Sequence, residues 1–216
     1  MIQPLDVVVL ISGNGSNLQA LIDGMQAGRL PIRINAVISD RPGAFGLERA
    51  ERAAIAAQAI APRDFPGKEA WETALAAAID LHSPGLVVLA GFMRVLSAAF
   101  VRHYRGRMLN IHPSLLPKYR GLHTHRRALE AGDATHGASV HFVTEELDGG
   151  PVILQAEVPV LPGDDEASLA ARVQAVEHVI YPQAVRLFAE GRIRMRDDGQ
   201  VEYDGMPLTA PLPAQA

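Results

Sequence analysis

The chain has 216 residues, 48% of them hydrophobic and 20% charged, with a net charge of −4. That is enough for one full domain or at most two small ones, and it excludes a disordered tail protein. The absence of cysteine excludes disulfide scaffolds, thiol nucleophiles, Fe–S clusters and Cys-ligated zinc, and the acidic balance argues against a general nucleic-acid binder.

From the N-terminus, residues 6–12 form a near-continuous β-branched run, the pattern of a strand buried on both faces. Gly13 to Gly15 interrupt it, and residues 17–27 carry Leu18, Leu21, Ile22 and Met25 at helical spacing. Residues 32–39 read as a second strand closed by the turn Asp40-Arg41-Pro42-Gly43. Residues 45–58 and 68–81 are Ala-rich helices with a short strand near 59–61, and residues 86–90 are another buried strand. A short helix over 98–104 precedes a strand at 108–111. Alternation of this kind predicts βαβ units and a mostly parallel sheet.

The second half changes character. Residues 138–143 and 152–160 are strands joined by a polar Gly-rich loop, so an antiparallel element is expected. Residues 167–189 read as a long helix, broken or kinked near Pro182. Residues 193–195 and 201–203 flank Asp197-Asp198-Gly199 as a hairpin. The fold class predicted is α/β: a single Rossmann-like domain over 1–203, helices on both faces of the sheet, an antiparallel C-terminal part, and a mobile tail over 204–216. The apolar runs are too short to span a bilayer and no basic segment precedes the first of them, so a cytoplasmic protein with no membrane partner is expected.

Arg102, Arg105, Arg107, Lys118, Arg120, Arg126 and Arg127 share one segment with no Asp or Glu between them, and six of the eight histidines lie in or near it. Such a segment is either a solvated face or a site for an anionic small molecule.

Three constellations carry chemistry. Ser12-Gly13-Asn14-Gly15-Ser16-Asn17 lies between a buried strand and a helix start, where small residues and the positive end of a helix suit a phosphate; a tight turn with no ligand is the other reading. Ser16 or Asn17 can cap that helix. The loop is neither a Walker A motif nor G-x-G-x-x-G, since Leu18 stands where the third glycine would be. Asp40 is either a ribose-binding acid or the first residue of its turn. Asn110 and His112 lie two apart at a strand's carboxyl end, so their side chains share a face; an amide that steadies an oxyanion beside an imidazole that moves a proton suits acyl-type transfer, and a simple strand cap is the alternative. Asp148, before Gly149 and Gly150, would stabilise a His112 imidazolium if the fold brings them together, and is otherwise a turn. His123-Thr124-His125 lacks a carboxylate at ligand spacing, so no metal site is expected, and Thr124 is expected to cap a helix starting at His125 or Arg126.

Taken in order, residues 12–18, Leu89-Ala90-Gly91-Phe92-Met93-Arg94, Asn110-Ile111-His112-Pro113-Ser114-Leu115-Leu116-Pro117 and Leu147-Asp148-Gly149-Gly150-Pro151 resemble the glycinamide ribonucleotide transformylases (phosphoribosylglycinamide formyltransferases), a family of folate-dependent formyltransferases. The likeness covers roughly residues 5 to 190. The Asn/His/Asp set marks the wider formyltransferase class, and the first loop separates this chain from methionyl-tRNA formyltransferases. The resemblance implies transfer of the formyl group of N10-formyltetrahydrofolate, as co-substrate, to the amine of glycinamide ribonucleotide in purine synthesis. It implies Asn110, His112 and Asp148 as catalytic residues, and Gly15, Ser16, Asn17 and Glu177 at the ribonucleotide. It places the folate at Lys68, Met93, Arg94, Val95, Leu96, Asn110, Thr144 and Asp148. No metal and no nucleic acid are implied, and a monomer or homodimer is expected.

Two departures stand out. Lys68 occupies a position where relatives carry Arg, which keeps the charge but loses the bidentate fork; Arg120 replaces a proline in a Lys-Tyr-x-Gly-Leu-His loop. Rival readings are transfer to another amine such as an amino sugar nucleotide, hydrolysis of the formyl donor, and a nicotinamide-binding module built on Gly13, Gly15 and Asp40.

Overall fold

The computed structural model describes residues 3–214. The chain divides between Asn110 and Ile111 into two compact units.

The first unit runs β1 (Leu5–Ile11), α1 (Ser16–Gln26), β2 (Ile32–Ser39), α2 (Phe45–Arg52), β3 (Ala56–Ala59), a 3-10 turn (Pro62–Asp64), α3 (Lys68–Asp80), β4 (Leu86–Leu89), α4 (Ala98–His103) and β5 (Met108–His112), whose last two residues belong to the second unit. All five strands are parallel, in the order β3-β2-β1-β4-β5. β1 is central: Val7, Val8, Val9, Leu10 and Ile11 are all fully buried, each such side chain contributing about 1.5–3 kcal/mol. Successive side chains point to opposite faces, and burial of both faces explains why this strand reads as an unbroken apolar run rather than an alternating one. The chain lays β2 and β3 to one side of β1, then crosses to lay β4 and β5 on the other. The crevice at the carboxyl ends of β1 and β4 is therefore the topological switch point, the usual ligand position in open α/β sheets.

The second unit contains α5 (Thr124–Ala131), β6 (Thr135–Phe142), β7 (Val152–Pro159), α6 (Glu166–Ala189), β8 (Ile193–Met195), β9 (Val201–Tyr203), β10 (Met206–Pro207) and β11 (Leu212–Pro213). β6 and β7 pair antiparallel, β11 adds parallel to β7, and β8, β9 and β10 form a separate antiparallel sheet. The fold is thus α/β with a mostly parallel sheet and an antiparallel C-terminal part, as the strand–helix alternation predicts. α6 packs on β6 and β7 through a stripe that includes Leu169, Val173, Ile180 and Ala184. A capping box starts it: the Ser168 N–H donates to Asp165 Oδ1 at 2.8 Å, and the Asp165 N–H donates to Ser168 Oγ at 3.0 Å, worth about 1 kcal/mol. No helix among the described residues is long and apolar enough to cross a membrane.

Several expectations differ in the structure. The helix expected over 45–58 stops at Arg52, because Ala54 turns into the left-handed region (φ 58°) and the next residues leave to pair with β2 as β3, over Ala56–Ala59 rather than 59–61. Tertiary pairing here overrides the helix propensity of an Ala-rich run. Of the two outcomes expected at Pro182, the break does not occur: α6 runs through it, since its packing on two strands outweighs one missing hydrogen bond. In the segment expected to be a mobile tail, residues 206–207 and 212–213 form β10 and β11, and residues 215–216 lie outside the described residues. Thr124 begins α5 instead of capping it; His123, at φ 59°, occupies the cap position, and the buried Thr124 hydroxyl finds no partner.

Candidate active site

The Gly-rich loop after β1 is shaped by a second glycine-bearing element. Gly15 takes φ 73°, and a Cβ there would lie 2.7 Å from Gly46 Cα at the start of α2, while the Gly46 N–H donates to the Gly13 carbonyl at 3.0 Å. Only a residue without a side chain fits this conformation and this approach. Arg49 of α2 fastens Asn14 twice, donating from Nε to its carbonyl and from Nη2 to its Oδ1, both at 2.8 Å. The side-chain cap expected from Ser16 or Asn17 is not made; Gly15 stands at the cap of α1. The loop therefore presents backbone at the positive end of a helix, an arrangement suited to a phosphate.

Across the switch point, the Met93 N–H donates to Ser12 Oγ at 2.8 Å, joining the loop after β1 to the segment after β4. Asp40 is buried, and its Oδ2 accepts from Arg94 Nε at 2.6 Å. It thus begins its turn and also orients Arg94. Lys68, Met93, Arg94 and Val95 line one cavity of about 410 Å³ together with Trp71 and Pro62, whereas Leu96 is not part of that lining. The apolar wall is stiff: Trp71 donates from Nε1 to the Ile60 carbonyl at 2.8 Å and stacks on Phe92, ring centroids 6.4 Å apart. Lys68 Nζ lies 3.7 Å from Glu72 Oε1, which also accepts the Ser97 N–H. A cavity lined by Trp71, Met93 and Val95 together with the cationic Lys68 and Arg94 fits an aromatic ligand that carries a carboxylate.

In the second unit, His112 Nδ1 lies 3.5 Å from Asp148 Oδ2, with both side chains nine-tenths or more out of solvent. The spatial condition attached to Asp148 in the sequence is thus met. Asp148 takes φ 47°, and Gly150 is a steric requirement, because a Cβ there would run into the Phe142 carbonyl; at Gly149 a Cβ would meet only the exposed Glu146 side chain, which can move aside. His141 Nε2 lies 3.8 Å from Asp148 Oδ1, and its Nδ1 bonds the Phe142 carbonyl at 2.9 Å. Burial holds the His141 imidazole below its ordinary value, against the pull of Asp148. The Pro-rich segment after His112 is pinned by Ser139 of β6, whose hydroxyl donates to the Ser114 carbonyl at 2.6 Å and accepts the Leu116 N–H at 3.0 Å. Asn110, two residues before His112 on β5, pairs in register with Leu89 of β4. Thr144 begins the loop that leads to Asp148, and its hydroxyl donates to the Glu146 carbonyl at 3.5 Å. Glu177 is buried in the middle of α6.

The cationic, His-rich segment is less cationic in the fold than in the sequence. Lys118 pairs with Asp133, Arg120 with Glu146 and Arg126 with Glu166. Burial lowers His125, and it lowers His136 to about 4, so both are neutral at neutral pH. Among the described residues no group of three or more His, Asp or Glu is arranged to hold a metal ion.

The profile of the formyl transferase family matches residues 5–185. The chain belongs to that family. This formyl transferase is 58% identical over 194 residues to the phosphoribosylglycinamide formyltransferase of Escherichia coli (strain K12), covering 90% of this chain and 92% of that one. Among solved structures it is similar to the phosphoribosylglycinamide formyltransferase of Coxiella burnetii in complex with CHES, with TM-score 0.93 and 52% identity over 98% of this chain and all of that one. It is also similar to glycinamide ribonucleotide transformylase 1 of Symbiobacterium toebii, with TM-score 0.90 and 47% identity over 94% and 95% of the two chains. In this formyl transferase sequence reasoning passed over Ser12 and Arg49, which fasten the loop after β1, and Tyr119 and Gly121, whose carbonyl and N–H meet His112 Nε2 and Asp148 Oδ2, both at 2.9 Å. All four act through backbone or loop contacts, and only Ser12, placed between strand and glycines, left a readable signal.

Proposed function

We propose that this formyl transferase moves the formyl group of N10-formyltetrahydrofolate to the amine of glycinamide ribonucleotide, giving formylglycinamide ribonucleotide and tetrahydrofolate, a step of purine synthesis. The observation that carries the reading is the His112–Asp148 pair, out of solvent at the carboxyl end of β5 and two residues beyond Asn110.

The amine nitrogen attacks the formyl carbon, forming the new C–N bond and an oxyanion. Asn110 donates its amide N–H to that oxyanion, and His112, supported by the Asp148 carboxylate, stabilises the developing charge and passes the amine proton toward the folate. The bond from the formyl carbon to N10 then breaks, with N10 taking the proton. Electrostatic and acid–base assistance of this kind is worth about 10²–10⁴ in rate. The ribonucleotide phosphate takes the backbone of Gly15, Ser16 and Asn17, with Glu177 at the ribose. The pterin takes the segment over Met93, Arg94, Val95 and Leu96 and the loop from Thr144 to Asp148, and Lys68 faces the glutamate carboxylates.

The test is to follow deformylation of a 10-formyl folate with and without glycinamide ribonucleotide. Turnover only with both present, and formylated nucleotide as product, is the expected result. Turnover without the nucleotide would make the chain a hydrolase that spends the same formyl group on water.

A further inference from the structure

Tyr119 is a non-glycine residue at φ 55°, a conformation that persists only where the surroundings hold it. Its phenol O–H donates to Asp133 Oδ2 at 2.8 Å, and Lys118 Nζ donates to both oxygens of the same carboxylate, at 3.1 and 3.0 Å. The Arg127 guanidinium lies 5.1 Å from the centre of the Tyr119 ring, and the His136 ring meets it edge-on at 6.1 Å. The hydrogen bonds from Tyr119 and Lys118 hold the Asp133 carboxyl below its ordinary value, so the anchor is a carboxylate at working pH.

The strained backbone has a use. The Tyr119 carbonyl accepts from His112 Nε2 at 2.9 Å, and two residues on, the Gly121 N–H donates to Asp148 Oδ2 at 2.9 Å. A carbonyl only accepts, so this contact requires the proton on Nε2 and leaves Nδ1 as the nitrogen facing Asp148. One turn of chain therefore touches both members of the His112–Asp148 pair, with an acceptor for the first and a donor for the second.

We infer that Asp133 and the Tyr119 hydroxyl are positioning residues: their hydrogen bond holds the 119–121 turn in the conformation that orients His112 and Asp148. The inference rests on the reading of that pair as the acid–base groups of formyl transfer. Without the anchor, Tyr119 relaxes toward negative φ, its carbonyl leaves Nε2, and the imidazole is free to exchange tautomers.

The test uses Tyr119→Phe, which removes one oxygen and keeps the ring, and Asp133→Asn, each in the full chain. Two quantities are read: kcat for formyl transfer, and the protonated nitrogen of His112 by ¹⁵N NMR of labelled histidine, with His112→Ala identifying the signal. The expected result is a loss in kcat of roughly 10- to 100-fold, the scale of a small misplacement of a reacting group, together with loss of the Nε2–H state of His112. A wild-type tautomer in the folded variants, or a changed tautomer with unchanged kcat, overturns the inference. Loss of stability alone, with the tautomer kept, shows a merely structural anchor. Wild-type turnover by His112→Ala would sink the underlying reading instead, and so separates the two failures.

Discussion

The hydroxyl of Ser12 accepts the Met93 N–H at 2.8 Å, so the loop after the central strand and the segment after its neighbour are fastened at the point where strand order reverses. Gly15, Ser16 and Asn17, proposed for the ribonucleotide, follow one end of this bond, and Arg94, Val95 and Leu96, proposed for the folate, follow the other. Ser12→Ala leaves a part-buried N–H without its partner, at about 1–2 kcal/mol. It should raise KM for the folate donor severalfold with a smaller change in kcat, and Ser12→Thr, which keeps the oxygen, should restore it. Steady-state kinetics of the two variants decide this; an unchanged donor KM in Ser12→Ala would mean the bond is only structural.

His112→Ala and Asp148→Asn should each lower kcat by about 10²–10⁴ while leaving the affinity for glycinamide ribonucleotide near that of the parent, as read by calorimetry. Near-normal turnover in either variant would remove that residue from the mechanism.

Gly15→Ala places a Cβ 2.7 Å from Gly46 Cα on a backbone at φ 73°, combining a left-handed penalty with overpacking. The expected loss is about 2–4 kcal/mol, visible as a lower Tm, together with weaker ribonucleotide binding. A variant that melts with the parent and binds normally would show that the loop can move away from α2 freely.

Lys68 approaches Glu72 at 3.7 Å and lines the cavity assigned to the folate. Lys68→Arg restores a planar fork for a carboxylate, so the donor KM should fall, and Lys68→Ala should raise it. If neither substitution shifts it, the glutamate end of the donor lies elsewhere.

His136 titrates near 4 in the folded chain against an ordinary value of 6.5, because burial penalises its charged form and neighbouring His125 adds to the penalty. The unfolded chain then binds more protons between these values, so stability is highest above about pH 6.5 and falls as pH drops toward 4. For a displacement of that size the loss is at most about 3 kcal/mol. Urea midpoints from pH 7 to 4 should show this decline, and His136→Asn should flatten it; an equal decline in the variant would assign it to other groups.

Much of the first unit could be read from periodicity because its strands are buried on both faces and its helices are local. β2 occupies residues 32–39 and β8 and β9 occupy 193–195 and 201–203 as expected. What escaped is what depends on distant partners. The Ala-rich run after Ala53 becomes β3 because β2 offers it a ladder, and no local signal marks that. Asn110 and His112 were recognisable by type and spacing, but the meeting of His112 with Asp148 depends on a turn with φ 47° at Asp148 and a glycine at 150 packed against the Phe142 backbone. The hold of Tyr119 and Gly121 on the pair was not legible at all, since it is made by main-chain atoms that any residue would supply. Charge shows the same limit: Lys118, Arg120 and Arg126 of the basic stretch meet Asp133, Glu146 and Glu166, which lie outside it in sequence.

The pairing of Leu212 and Pro213 with Leu154 and Gln155 has a practical side. β7 already has β6 on one flank, and this short addition shields part of the other, ending in a residue with no N–H to offer a further strand. A chain cut back to residue 203 would keep every residue assigned to chemistry yet uncover hydrogen-bonding groups along β7, inviting strands of other molecules. Trimming the C-terminus to improve crystals or expression should therefore yield a protein that clumps before it loses its turnover.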